Sequence, residues 1–212
     1  MKKFMLSCFL GMLILQPLFA QKEIKGIRSL RWSQKVWVMK HPFVALPAYR
    51  LTKRVLGVTN QKKSDSILDG DANGGQVDAF RHSFWMAMLA QKIAYNKVIA
   101  LGLAHEKDDY RNYKRDLIED GSPGDSLASL MDKINNKAGA DIGHANRSCS
   151  ERELEDLICK AIKDGKMVVL WKDTKQNYLT CQGDVLSMEE YKGHWFKPKC
   201  IKASNVLRKP VE

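Results

Sequence analysis

The sequence predicts a mainly α fold: a compact helical domain with a small disulfide-tied C-terminal region that contains short extended segments. Apolar residues recur at helical spacing from about Arg28 to Gly165. Beyond Gly165 the pattern changes to short β-prone runs such as Met167–Trp171. All four cysteines that follow residue 20 (Cys149, Cys159, Cys181 and Cys200) fall in the last third of the chain.

Residues 1–20 stand apart. Lys2 and Lys3 precede an apolar run from Phe4 to Phe19, and Ala20 ends it before Gln21, the pattern of a cleaved secretory signal peptide. The run is short for a membrane span, and no second one follows. Removing Lys2 and Lys3 with the leader lowers the formal charge from +11 to +9, and removing twenty residues from 212 leaves 192, one domain of ordinary size. Cys8 lies inside the apolar run without the small-residue context of a lipidated cysteine.

The rest divides into an N-terminal helical segment (21–60), a motif-bearing helical core (61–148) and a cysteine-containing C-terminal region (149–212) that belongs to the same domain. A first helix is expected over 28–40, interrupted by His41-Pro42. A second spans 43–57 and stops at Gly57. Asn60 to Gly75 is polar and glycine-rich, hence a loop. Gln76 to about Asn96 is the clearest helix, with Val77, Phe80, Phe84 and Met88 along one side. Lys97 to about Asp109 follows. Tyr110 to Gly124 is charged and closes with Gly121-Ser122-Pro123-Gly124, a turn. Asp125 or Ser126 caps a helix that Gly143 ends. Ser150 and Glu153 form a capping box for a helix reaching Gly165. Met167–Trp171 and Asn177–Thr180 are extended, and 183–212 is irregular.

An even cysteine count in an exported chain predicts two disulfides, with three pairings open. Separations of 10, 22 and 19 residues match no compact zinc knuckle. The basic residues are scattered, which argues against a nucleic-acid reader and leaves contact with an anionic surface open.

Chemistry concentrates in three polar clusters within apolar periodic segments. Asp78 and His82 lie one helical turn apart, with Arg81 three residues beyond Asp78. Such a pair serves as metal ligands, as an oriented general base, or as a helix-to-helix tie. His105-Glu106 lacks the second histidine of a zincin motif, although Asp109 stands where that histidine would be. Asp132 and Asn136 form another one-turn pair beside Asn135. Buried amides at such positions bind substrate, backbone or a cation, or join a network between helices. Asp69-Gly70-Asp71-Ala72-Asn73-Gly74 matches half of a calcium loop, but Phe80 occupies the position of the bidentate glutamate, and a turn capping the next helix is the better reading.

The order Asp-Ala-Phe-Arg-His-x-x-Trp (78–85), Ala-His-Glu (104–106) and Met-Asp-x-x-Asn-Asn-x-x-Gly (131–139) resembles an uncharacterised family of bacterial helical domains. The resemblance covers roughly residues 70–143. It implies that Asp78, Arg81, His82, His105, Glu106, Asp132, Asn135 and Asn136 share one site, and it supplies no reaction.

The reading favours a secreted or periplasmic hydrolase, metal-dependent in its fullest form, acting on a phosphate ester, lipid or cell-envelope substrate. His82, His105, Asp78 and Asp132 are its metal ligands for one divalent ion, zinc or another. Glu106 activates water, and Arg81, Asn135 and Asn136 stabilise charge. One alternative is a non-catalytic envelope binding or structural protein in which the same groups form a buried polar network. Another is an exported toxin or its antagonist.

Overall fold

The computed structural model describes residues 30–115 and 124–211. The predicted leader, Cys8, the start of the first expected helix and the Gly121-Ser122-Pro123 turn lie outside them. Among the described residues six helices lead into a two-stranded antiparallel ribbon: α1 Trp32–Lys40, α2 Pro42–Lys62, α3 Gln76–Lys92, α4 Tyr95–Tyr113, α5 Ser126–Ala145, α6 Glu151–Lys163, β1 Val168–Leu170 and β2 Ile201–Ala203.

Helix α3 is the axis of the fold. It is buried nearly all round, from Val77 to Gln91, and α2, α4, α5 and α6 pack against it. A helix enclosed on every side needs few polar residues, so Asp78 and His82 within it require partners. The α3–α5 crossing is backbone on backbone. A Cβ at Gly139 would lie 2.1 Å from the Ser83 carbonyl oxygen, and one at Gly143 would lie 2.1 Å from that of Ala87. Only glycine permits such an approach, and the approach brings Asp132 and Asn136 up to His82.

Several boundaries differ from the sequence reading. Helix α2 runs through Gly57 to Lys62. Gly57 is exposed, and a glycine inside a helix costs about 1 kcal/mol, too little to end one that is packed against α3. Gly143 is a packing position inside α5, which continues to Ala145. Helix α4 starts at Tyr95 and ends at Tyr113. At the caps, Asp125 accepts from the Leu127 and Ala128 amides, and Ser150 and Glu153 form the expected capping box.

The C-terminal region holds one disulfide, Cys181–Cys200. The second expected bridge is absent: Cys149 and Cys159 are free thiols. Cys149 precedes α6 and Cys159 lies eight residues inside it, so about 12 Å of helical rise separates Cys159 from the start of the helix, whereas bridged Cα atoms lie within about 7 Å. The segment read as irregular contains β2, whose Ala203, Lys202 and Ile201 pair with Val168, Val169 and Leu170. Lys199, beside the disulfide, reaches Asp125 at the start of α5 (2.6 Å), which fastens the ribbon to the helical core.

Candidate functional site

The site is built on the faces that α3, α4 and α5 turn towards one another. On α3, Asp78, Arg81 and His82 follow helical spacing. The Nη2 of Arg81 lies 2.8 Å from Oδ1 of Asp78 and 3.3 Å from Nε2 of His82. The other Asp78 oxygen accepts the Gly74 amide (2.6 Å). From α5, Oδ1 of Asp132 faces Nε2 of His82 at 3.3 Å, and Oδ1 of Asn136 meets Nδ1 of His82 at 3.2 Å. From α4, Glu106 accepts Nδ2 of Asn136 and the Ser129 hydroxyl, both at 3.1 Å.

The amide of Asn136 settles the tautomer of His82. Its NH2 group donates to Glu106, so its oxygen turns to His82 and Nδ1 carries the proton. The lone pair of Nε2 then points at Asp132, Asp78 and Arg81. An acceptor that fixes one imidazole nitrogen orients the other, as around metal-ligating histidines, where that acceptor is usually a carboxylate, a backbone carbonyl or water.

The electrostatics follow from burial. Loss of water holds His82 well below its usual value, helped by Arg81 and His105, so it is neutral near pH 7. His105 is lowered by the same cause. Burial, with Asp78 and Glu106 close by, raises Asp132 well above the carboxylate range. Glu106 is pushed up to about 8 by burial and by Asp109, against the opposing hydrogen bonds of Ser129 and Asn136. Oδ1 of Asp132 is buried and has no hydrogen-bond donor among the described residues.

Among the described residues two groups of side chains offer ligand atoms within 4.8 Å of one another: Asp78, His82 and Asp132, and next to them His105, Glu106 and Asp109. The rings of His82 and His105 are 6.0 Å apart. His105 is held by Gln34 of α1 (3.2 Å to Nδ1) and by the edge of Trp85, while Asp109 pairs with Arg31. Seven of the eight predicted site residues therefore come together. Asn135 turns elsewhere: its amide takes both backbone groups of Val168, at 2.9 Å each, and fastens α5 to β1. His41, His144 and His194 stay outside, each beside an aromatic ring.

The half calcium loop is a helix cap. Oδ1 of Asp69 accepts the Gln76 amide at the start of α3, and Asp71 is neutralised by Lys172 (2.7 Å) and Arg208 (3.3 Å). The loop and Arg81 border an open cleft of about 580 Å3, so Arg81 is the network member that lies on the cleft.

A family model described as "Domain of unknown function (DUF6973)" matches residues 35–166, more than half of the chain. The chain belongs to that family. The DUF6973 stretch encloses every member of both clusters and the two glycines of the α3–α5 crossing. It leaves out Arg31 and Gln34, which reach the second cluster from α1, and the Cys181–Cys200 ribbon. No curated protein and no solved structure matches the chain.

Ser129 was not legible as a site residue, yet Ser129, Asp132 and Asn136 follow i, i+3, i+7 on one face of α5. The role of Asp108 was not legible either. That residue is 2% exposed and caps α1 by accepting the Ser33 amide on both oxygens (3.0 and 2.9 Å). Nothing local separates such an acid from its solvated neighbours.

Proposed function

We propose that this chain is a non-catalytic binding or structural protein of the periplasm or cell exterior, whose buried polar network sets the register of α3, α4 and α5 and holds one divalent cation between Asp78, His82 and Asp132. The observation that carries the reading is the closed course of the network, from Ser129 through Glu106 and Asn136 to His82. Its members Glu106, Asn136 and His82 are 1%, 4% and 4% exposed, so little of the network meets solvent. The donor set fits a cation of oxygen and imidazole preference: one neutral imidazole whose Nε2 lone pair faces inward and now accepts from Arg81, and two carboxylates. Arg81 neutralises Asp78 and lies on the open cleft, and its withdrawal is the way in for an ion.

Elemental analysis tests this on mature protein purified without chelator or metal-affinity resin, beside a His82→Ala, His105→Ala double variant. One equivalent of metal in the native protein, lost in a still-folded variant, is the expected result. No metal in either leaves the network as a structural tie alone and removes the cation from the proposal.

The second reading is a metal-dependent hydrolase of a phosphate ester, lipid or other envelope substrate. Glu106 favours it, because a carboxyl that titrates near 8 is poised for proton transfer at neutral pH. There Glu106 would activate water, and Arg81 and Asn136 would stabilise charge, while Asn135 would contribute through its hold on Val168. Turnover of an esterase, phosphatase or peptidoglycan substrate that Glu106→Gln abolishes in a folded protein would establish it over the first reading.

A further inference from the structure

Helices α1 and α4 lie side by side, and apolar side chains stand proud along this edge of the molecule. Trp32 is 63% exposed, Leu103 54%, and Phe43, two residues beyond the α1–α2 break, 95%. Trp32 and Leu103 wall a groove of about 420 Å3 between α1 and α4. Leu103 also walls an apolar groove of about 310 Å3 on the other side of α4, against α5. Single exposed apolar residues are ordinary on a protein surface, but a crest of them flanked by two grooves is not.

The charge on the same edge is of one sign. From Leu30 to Ser64, through α1 and α2, the sequence contains no aspartate or glutamate and eight lysines and arginines, of which Arg54 and Lys62 are paired with Glu151 and Glu155 of α6. The acids of α4 offset Arg31 but not the exposed lysines of this edge. Glu106 and Asp108 are 1% and 2% exposed, and Asp109 is paired with Arg31. Lys40 and Lys107 are exposed and line the first groove, and Lys35 is exposed on α1.

We propose that the crest of α1, the start of α2 and α4 docks on an anionic phospholipid bilayer. The chemistry asked of the partner is apolar and negatively charged at once over a broad area. A bilayer offers both, with acyl chains below a layer of phosphates. Trp32 sits at the headgroup level, where indoles are favoured, Phe43 and Leu103 enter the acyl boundary, and the lysines meet the phosphates. The attachment is peripheral, since no described helix is long and apolar enough to cross a membrane. It does not depend on the buried network or on a metal.

The test uses protein beginning at Gln21, which keeps every described residue and lacks the apolar leader run. It is sedimented with phosphatidylglycerol–phosphatidylethanolamine vesicles and with phosphatidylcholine vesicles, and tryptophan emission is followed. Binding at least tenfold stronger to the anionic vesicles, with a blue shift, is expected. Phe43→Ser with Leu103→Ser, and separately Lys35→Glu with Lys40→Glu and Lys107→Glu, should each weaken it about tenfold while the circular dichroism melt stays unchanged. No binding to anionic vesicles, equal binding to neutral ones, or undiminished binding by both folded variants would overturn the proposal.

Discussion

Glu106 is a carboxyl placed where its charge is hard to keep. It titrates near 8 in the folded chain against 4.5 for an exposed glutamate, so between those values the folded state holds a proton that the unfolded state has released. Stability therefore falls as pH rises across that range. The buried histidines act with the opposite sign: their folded values lie below 6.5, and they cost stability as pH falls below that point. From about 6.5 to about 8 the carboxyls act alone. Metal-free protein is expected to lose stability over that interval in urea denaturation, and Glu106→Gln to flatten part of the slope, the remainder staying with Asp132. An unchanged slope in the variant would locate the proton elsewhere. The one-turn pairs Asp78–His82 and Asp132–Asn136 were legible because helical spacing alone places them. Whether an amide one position away joins them was not. Asn135 and Asn136 differ in role because β1, thirty-three residues further on, captures the first.

At the scale of elements, the site depends on how closely α3 and α5 approach. Gly139→Ala should destabilise the protein by about 3 kcal/mol, the upper end of what overpacking costs, since the added carbon meets a main chain that cannot rotate away. Thermal or chemical melting measures this, and a loss below about 1 kcal/mol would mean that the two helices are free to part. The same contact explains a misreading. Glycine at the end of an apolar pattern signals a helix stop, and Gly57 and Gly143 both carried that signal. A stop also requires the backbone to turn, and the packing of α2 and α5 on α3 keeps both helices going. The capping residues were legible, because Asp125 and Ser150 act on amides within three residues of themselves.

In the molecule as a whole, a helical core carries the candidate site, and a ribbon closed on itself by Cys181–Cys200 is fastened across it by Lys199–Asp125 and Asn135–Val168. Closing a loop of this length contributes about 3 kcal/mol in the chain-entropy account. Cys181→Ser with Cys200→Ser should therefore loosen the ribbon, seen as faster amide exchange over 168–203, while amides of α3 stay protected. Equal loss of protection in α3 would mean that ribbon and core unfold as one. The mainly α class and the disulfide-tied C-terminal region were legible from periodicity and cysteine placement. The pairing was not, because it depends on which thiols the helices hold apart.

The glycine crossing of α3 and α5 also bears on how the chain finds its fold. Two amphipathic helices can meet in several registers, each burying similar apolar area. Here a slip of α5 by one residue would set Ile142 or His144 against the Ala87 backbone, where no side chain fits. Slipped encounters cannot close to full contact, so they stay shallow and short-lived. The crossing thus selects the one register in which the polar groups of the two helices meet.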